Sequence, residues 1–217
     1  MMKLDELTRL VQLGEGELLE FKTKVPRAER IAKEVIAFAN TKGGRLLLGV
    51  DDDGTIRGVR DSAEEEYALT EALEAHCDPP VVFSTERIPI SNKRNVILVR
   101  VPASSNKPHK LVSADKEAAG TVYIRVEDMS VEASREHVRL MRNAKKQDNV
   151  MFEFGEKEKV LMRYLENYGR ITVAQFAKLV GIPSGRASHT LVLLTKANVL
   201  QLHPGAKSDY FTLAYEA

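Results

Sequence analysis

Cysteine, long apolar runs and a dominant sign of charge are all scarce in this sequence. Cys77 is the only cysteine among 217 residues, so it can form neither an internal disulfide nor a structural zinc cluster. A lone cysteine predicts a buried thiol in a cytoplasmic protein. No apolar run approaches the roughly 18 residues that span a bilayer, and the residues after Met1 are not those of a signal peptide. We therefore expect no membrane partner.

The charge balance excludes a strongly basic chain. Lysine and arginine number 32 and aspartate and glutamate number 31, which gives a net charge of +1 at pH 7. Bulk charge therefore does not indicate a nucleic-acid-binding protein, and local patches matter more. One such patch stands out, because no acidic residue occurs between Glu166 and Asp209 while several lysines and arginines do.

Helices and strands alternate irregularly through the first two thirds of the chain. Apolar residues at helical spacing predict helices over residues 4–13, 26–40, 63–76 and 131–146. Ser62 and Glu65 predict a capping box for the third of these helices. Apolar and β-branched runs predict strands over residues 18–23, 45–50, 55–59, 81–90, 95–101 and 121–127. This order predicts an α+β fold, with a mixed or antiparallel sheet and flanking helices over residues 1–147.

The pattern changes after a polar linker at residues 145–149, and residues 153–217 are predicted to form a small second domain. Three helices, starting near residues 156, 173 and 184, precede two short strands, which matches a winged helix-turn-helix. In such modules the third helix enters the major groove, where arginine pairs with guanine and serine binds phosphate. The candidate DNA-contacting residues are Ser184, Arg186, Ser188, His189, Lys196 and Lys207. A winged helix used only for dimerisation or protein contact is the alternative.

Four motifs in a fixed order mark the first domain. They are Glu15-x-x-x-x-Glu20-Phe21-Lys22, Phe38-Ala39-Asn40-Thr41-x-Gly43-Gly44 running into Leu46–Val50, Asp51-Asp52-x-Gly54, and Gly120–Val126. Together these motifs resemble the Schlafen/Alba-type DNA-binding domain, also called divergent AAA, over residues 10–143. The resemblance implies a DNA-binding protein that regulates transcription, and it implies that a winged helix commonly follows this domain.

Gly43 and Gly44 follow a helix and precede a strand. A phosphate-binding P-loop requires the opposite order, and it requires a Gly-Lys-Ser/Thr sequence that does not follow here. The ATP-binding label sometimes carried by the family is therefore not supported, and we expect no cofactor. The glycines instead allow a tight reversal and the close approach of another backbone or a phosphate.

Several polar residues of the first domain allow two interpretations. Arg125 shares its strand face with an aromatic residue, which suits either a nucleic-acid surface or an ordinary solvated face. Lys107 and Lys110 lie beside His109 in a loop that we expect to be exposed, either as phosphate contacts or as solvated charge. Asn40 either ends a helix or bonds the neighbouring loop through its amide.

Three carboxylates are candidates for a nuclease site. Schlafen-type nucleases use two glutamates five residues apart and a later aspartate, and Glu15, Glu20 and Asp51 match that pattern best. Three carboxylates can hold Mg²⁺ or Mn²⁺ against a scissile phosphate. Two residues five positions apart are separated by about 140° around a helix, and they lie on opposite faces of a strand. The two glutamates therefore converge only if Gly16 bends the chain. Lys22 lies on the same strand face as Glu20 and is expected to neutralise it.

Three functions therefore compete. The first is a DNA-binding transcriptional regulator that contacts duplex DNA as a homodimer through the winged helix, with the Schlafen/Alba-like domain as a second nucleic-acid-binding or sensor module. The second is a metal-dependent Schlafen-type nuclease that acts on RNA. The third is an interaction scaffold. Salt-dependent DNA binding without cleavage selects the first function, and metal-dependent RNA cleavage selects the second.

Overall fold

The computed structural model describes residues 2–113, 120–143, 154–205 and 208–214. Contacts between residues divide the chain into two units, Met1–Ala133 and Ser134–Ala217. Helices and a mixed sheet occur together, so the α+β class predicted from the sequence is confirmed. The predicted linker at residues 145–149 lies outside the described residues.

The first unit is built on a four-stranded sheet. Its elements are α1 (Leu4–Gln12), β1 (Leu19–Lys22), α2 (Ala28–Asn40), β2 (Gly43–Leu48), α3 (Ser62–His76), β3 (Cys77–Asp78), β4 (Ser84–Ser91), β5 (Arg94–Pro102), β6 (Lys110–Leu111), β7 (Tyr123–Val126) and β8 (Met129–Glu132). The strand order is β1-β2-β5-β4, in which β1 and β2 are parallel and the other neighbours are antiparallel. The short pairs β3–β6 and β7–β8 lie outside this sheet.

Apolar side chains cover both faces of the sheet. One face, which carries Leu46 and Val99, packs against α2 and α3. The opposite face, which carries Leu47 and Leu98, packs against α1. A strand that is buried on both faces consists of a continuous apolar run, and the run after Arg45 accordingly lies in the middle of the sheet, as predicted.

Gly43 and Gly44 begin β2 at a point where two neighbours come close. A Cβ atom at Gly43 would lie 2.6 Å from the carbonyl oxygen of Val101, and a Cβ atom at Gly44 would overlap the ring of Phe38. The close approach expected of these glycines is therefore an approach to a neighbouring strand and to an aromatic ring.

The predicted capping box of α3 is wrong. Asp61 caps this helix, because its carboxylate accepts hydrogen bonds from the N–H groups of Ala63 and Glu64, both at 3.0 Å. The Ser62 hydroxyl instead accepts a hydrogen bond from β5, and the Glu65 carboxylate accepts one from a distant backbone N–H. Ser62 and Glu65 have the right spacing, but tertiary partners bind both side chains.

Two further local predictions need correction. Residues 55–59 form isolated bridges rather than a strand, although the turn before them is present, with a 2.9 Å hydrogen bond from Gly54 to Asp51. Residues 131–146, predicted as one helix, begin with the end of β8, and the helix starts only at Arg135. Because β8 pairs with β7, strand pairing overrides the local helical pattern there.

The second unit contains four helices and a hairpin in its described residues. They are α4 (Arg135–Asn143), α5 (Glu156–Tyr168), α6 (Val173–Val180), α7 (Ser184–Lys196), β9 (Leu200–His203) and β10 (Tyr210–Leu213). The strands β9 and β10 are antiparallel, and Phe211 also exchanges two backbone hydrogen bonds, of 2.9 and 2.8 Å, with Ile171. Phe176, Leu191 and Phe211 are fully buried in the core of this unit. The predicted spans of α5 and α6 coincide with the observed ones.

The start and end of α6 follow from its sequence. The Thr172 hydroxyl accepts a hydrogen bond from the N–H of Gln175 at 3.2 Å, which confirms the predicted cap. Gly181 ends the helix with a φ of +65°, in the left-handed region that favours glycine. A tight turn through Pro183 then leads directly into α7.

No helix in the described part of the chain is long and apolar enough to cross a membrane. Cys77 is buried in the core that the sheet forms with α2 and α3, as predicted. Burial raises the pKa of its thiol to about 12, so the thiol stays protonated and unreactive at neutral pH.

Candidate nucleic-acid interface

The first turns of α7 carry polar side chains on their outer face. Ser184, Arg186 and His189 are exposed, whereas Ala187 and Leu191 are buried in the core of the unit. Among the described residues, the Arg186 side chain has no hydrogen-bond or ion-pair partner. Its guanidinium can therefore meet a phosphate or a base edge without first breaking an ion pair.

Ser188 is buried, although the sequence placed it among the DNA-contacting residues. Its hydroxyl donates a hydrogen bond to Glu136 and accepts one, at 2.9 Å, from Nη1 of Arg139. Both partners belong to α4, which covers this side of α7. The sequence could not show this cover, so the predicted phosphate contact of Ser188 finds no support in the structure.

The two predicted lysines differ in what the structure shows. Lys196 is half-buried in the last turn of α7. At 1.5 Å per residue it lies about 18 Å along the helix axis from Ser184, so it belongs to a separate part of the surface. Lys207, predicted at the hairpin tip, lies outside the described residues. Beside the hairpin, the guanidinium carbon of Arg170, which lies between α5 and α6, is 5.5 Å from the ring centre of Tyr210 on β10.

A partly buried side-chain contact holds α4 at a second point. Nδ1 of His137 lies 2.7 Å from Oδ2 of Asp209, just before β10. Burial opposes ionisation of this carboxyl group, but hydrogen bonds from His137 and Ser134 outweigh burial, and the pKa of Asp209 falls below its ordinary value. The contacts to Ser188 and Asp209 together make α4 part of the second unit.

Arg125 is buried, although the sequence allowed it a ligand-binding or solvated surface. Its side chain is 1% exposed, and its guanidinium lies 2.5 Å from Glu20 and 2.9 Å from Glu34. The same group also donates to Ser130 and twice to the carbonyl oxygen of Gly16. Moving Arg125 to a phosphate would leave Glu34 without its cation and Glu20 with Lys22 alone, so its predicted nucleic-acid contact finds no support.

The loop that was expected to be exposed is packed against the end of α2. The Asn40 amide donates hydrogen bonds to the carbonyl oxygens of His109 and Tyr123, both at 2.9 Å, and accepts one from the His109 N–H at 2.8 Å. The second interpretation of Asn40, a buried amide that bonds the neighbouring loop, is therefore correct. Lys107 donates to the carbonyl oxygen of Thr41, and burial lowers the pKa of its ammonium group.

Lys110 lies in the short strand β6, opposite Asp78 of β3, and its side chain is half-buried. Only part of the predicted phosphate-contacting loop therefore reaches solvent. The phosphate contacts predicted for Lys107 and Lys110 remain predictions. Both side chains are partly covered, so each offers a phosphate less of its ammonium group than an exposed lysine does.

The carboxylates predicted for a nuclease site are held by cations. The Glu20 carboxylate binds Lys22 through one oxygen, as the sequence predicted, and Arg125 through the other. Asp51 binds Arg57 in a separate ion pair. A metal ion would have to displace these cations before it could reach the two carboxylates.

Glu15 lies close enough to Glu20 for their charges to interact, which fits the predicted bend at Gly16. Partial burial of the Glu15 carboxylate raises its pKa, and the negative charge of Glu20 raises the pKa further. A hydrogen bond from the Phe21 N–H at 2.8 Å lowers the pKa, but the net result lies above the ordinary value. No group of three histidine, cysteine, aspartate or glutamate side chains within the described ranges is placed to hold a metal ion. The geometry therefore gives the nuclease interpretation no specific support.

Comparison with known proteins adds one family and two distant structures. The family described as Schlafen, AlbA_2 matches residues 15–134, more than half of the chain. The DIP2311 protein from Corynebacterium diphtheriae is 20% identical, with a TM-score of 0.42, over 62% of this chain and 28% of that protein. The N-terminal domain of a RecG-related protein from Nitrosomonas europaea is 19% identical, with a TM-score of 0.43, over 62% of this chain and 94% of that domain. This chain thus spans under a third of the first protein's length.

Proposed function

Because this chain belongs to the Schlafen AlbA_2 family, we propose that it is a nucleic-acid-binding protein and, more narrowly, a transcriptional regulator that binds duplex DNA. In this proposal the second unit is a winged helix-turn-helix, and its α7 enters the major groove. The first unit is a second nucleic-acid-binding or sensor module. The observation that carries the proposal is the exposed, unpaired guanidinium of Arg186 in the first turn of α7.

The order of elements in the second unit supports the winged-helix assignment. The helices α5, α6 and α7 precede the antiparallel hairpin of β9 and β10, and the turn between α6 and α7 is short. The backbone pairing of Ile171 with Phe211 adds a third segment to this hairpin and ties it to the start of α6. The exposed N-terminal turn of α7 is the part that reads base edges in helix-turn-helix modules.

Charge supports the same surface. The stretch between Glu166 and Asp209 contains no acidic residue, and α7 lies entirely within it. Arg186 can pair bidentately with guanine, and Ser184 can bind a phosphate oxygen. His189, one turn further along the exposed face, adds a polar contact. Added salt will weaken such an interface, because contacts to phosphates release counterions from the DNA and salt opposes that release.

We also propose that the protein acts as a homodimer. One winged helix reads few base pairs, and two copies related by a two-fold axis double the contact and match a palindromic site. Light scattering measures the oligomeric state of the free protein and the number of protein copies in its DNA complex. A monomer at every accessible concentration, bound as one protein per site, would exclude the dimer.

The direct test compares Arg186→Gln with Arg163→Gln in the full chain. Both arginines are exposed on helices of the second unit, but Arg163 lies on α5, outside the proposed interface. Binding to random-sequence duplex DNA is measured by fluorescence anisotropy at several salt concentrations. We expect Arg186→Gln to lower the slope of log affinity against log salt by about 0.9 if a phosphate contact is lost. Equal affinity and slope for both variants would contradict the proposed interface.

A further inference from the structure

A cleft of about 500 Å³ opens at one end of the four-stranded sheet in the first unit. Its described lining contains three basic side chains and no acidic one. The basic residues, which we call the cationic triad, are Lys42, Arg45 and Arg100. A volume of this size is ordinary for a ligand-binding cleft.

Two members of the triad are direct neighbours across the sheet. Arg45 on β2 and Arg100 on β5 are opposite each other in the strand register. Side chains in such a pair begin about 5 Å apart, and like charges placed there destabilise the sheet. An anion between the two guanidinium groups would turn this repulsion into attraction.

The acidic residues near the cleft pair with only two members of the triad. Arg100 uses Nη2 to bind Glu86, and its side chain remains 43% exposed. Lys42 lies 2.9 Å from Glu17 in an exposed pair. Arg45 has no hydrogen-bond or ion-pair partner for its side chain among the described residues. One positive charge, that of Arg45, is therefore left over.

Apolar side chains line the cleft beside these charges. Leu18 is 44% exposed and Val82 is 74% exposed, and Phe83 lies next to Val82. Cations beside exposed apolar groups fit a ligand that carries phosphates and flat apolar faces. A single nucleic-acid strand offers both, because its bases are unpaired. In a duplex the base faces are stacked inside, so the apolar lining would have nothing to contact.

We propose that this cleft binds a single strand of nucleic acid, with a backbone phosphate between Arg45 and Arg100 and a base against Leu18 and Val82. The inference rests on the proposed nucleic-acid-binding function and extends it. The protein then handles two forms of nucleic acid, a duplex at α7 and a single strand at the cationic triad.

The test uses the full chain and a fluorescent twelve-nucleotide thymidine strand, which forms no duplex. The variants are Arg45→Gln and the double change Arg45→Gln with Arg100→Gln. Lys93→Gln is the matched control, because Lys93 is exposed in the turn of the same β4–β5 hairpin, at its other end. We expect Arg45→Gln to weaken binding roughly tenfold and to lower the salt slope by about 0.7, as for one lost phosphate contact on a single strand. Duplex affinity should stay at the wild-type value, and the melting temperature should not fall, because the change removes one of two like charges that face each other across the sheet.

The outcomes separate this inference from the proposed function. Loss of single-strand binding in Arg45→Gln but not in Lys93→Gln, with duplex binding retained, supports the cleft. Single-strand binding that Arg45→Gln leaves intact overturns the cleft, whether or not duplex binding occurs. Failure of the wild type to bind any nucleic acid overturns both proposals. Displacement of the strand by an equal concentration of inorganic phosphate, or Arg45-dependent binding to phosphatidylserine vesicles without strand binding, also overturns the single-strand assignment.

Discussion

Nη2 of Arg125 lies 2.5 Å from Oε2 of Glu20, although 105 residues separate the two along the chain. The contact joins β7 to β1, and the same guanidinium reaches Glu34 on α2. Because Lys22 binds the other oxygen of Glu20, the group contains two positive and two negative charges. A balanced and buried set of charges is a structural clamp, and it leaves no charge over for a ligand.

We expect Arg125→Ala to lower the free energy of unfolding by about 3–5 kcal/mol, because it leaves Glu34 without its cation and the buried Glu20 carboxylate with Lys22 alone. Urea denaturation followed by circular dichroism measures this loss. Arg100→Ala is the control, since Arg100 is 43% exposed in its pair with Glu86 and its loss should cost no more than about 1 kcal/mol. Similar small losses for both variants would show that the clamp contributes little.

Gly44→Ala should destabilise the first unit by about 1–3 kcal/mol, because the new methyl group must displace the ring of Phe38. Gly16→Ala is the matched control, because a Cβ atom there meets nothing within 4 Å. Calorimetric melting of the two variants gives the comparison. A melting temperature of Gly44→Ala equal to that of Gly16→Ala would mean that the ring moves freely.

Ser188→Ala and Ser184→Ala should separate stability from DNA binding on one helix. Ser188→Ala removes the hydroxyl that Glu136 and Arg139 share, so we expect a loss of about 1–3 kcal/mol in stability. Ser184 is exposed, so its change should leave stability unaltered and weaken DNA binding slightly. The measurements are thermal melting and duplex anisotropy. The opposite assignment, with Ser188→Ala stable but deficient in DNA binding, would place Ser188 in the interface.

The pair of Asp209 and His137 should make the second unit sensitive to acid. The pKa of Asp209 is lower in the folded state than its value of about 3.9 in the unfolded chain. The ionised carboxylate therefore stabilises the fold fully above that unfolded pKa. This stabilisation is lost as the pH falls through the folded-state pKa. Asp209→Asn should therefore be less stable than the wild type at neutral pH, and the difference should shrink below about pH 4. Thermal melts across this range test the sign, and a difference that grows on acidification would reverse it.

Local patterns predicted much of the fold, because periodic segments with clear caps leave little choice. The spans of α5 and α6 were predicted from apolar spacing and from Thr172 and Gly181. The same rules failed where a distant segment decides. Alternation along β7 shows that Arg125 and Val126 face opposite ways, but it cannot show that α2 covers the arginine.

The candidate sites show the same limit. Arg186 and His189 were predicted as DNA contacts because they lie near the start of the third helix of a winged helix-turn-helix, and both side chains are exposed. Ser188 belongs to the same helix, yet α4 buries it, and nothing in the spacing reveals that neighbour. The pairing of Arg45 with Arg100 depends on strand register, which the two separate apolar runs do not specify.

The position of Arg125 late in the first unit also bears on how the chain is made. All four strands of the central sheet have been synthesised once Pro102 leaves the ribosome, well before Arg125 does. During that interval the chain carries the carboxylates of Glu20 and Glu34 without the guanidinium that binds both in the folded unit. The last hairpin, β7–β8, therefore completes both the charge balance and the packing of the first unit. A chain stalled before that hairpin would lack the guanidinium that binds Glu20 and Glu34.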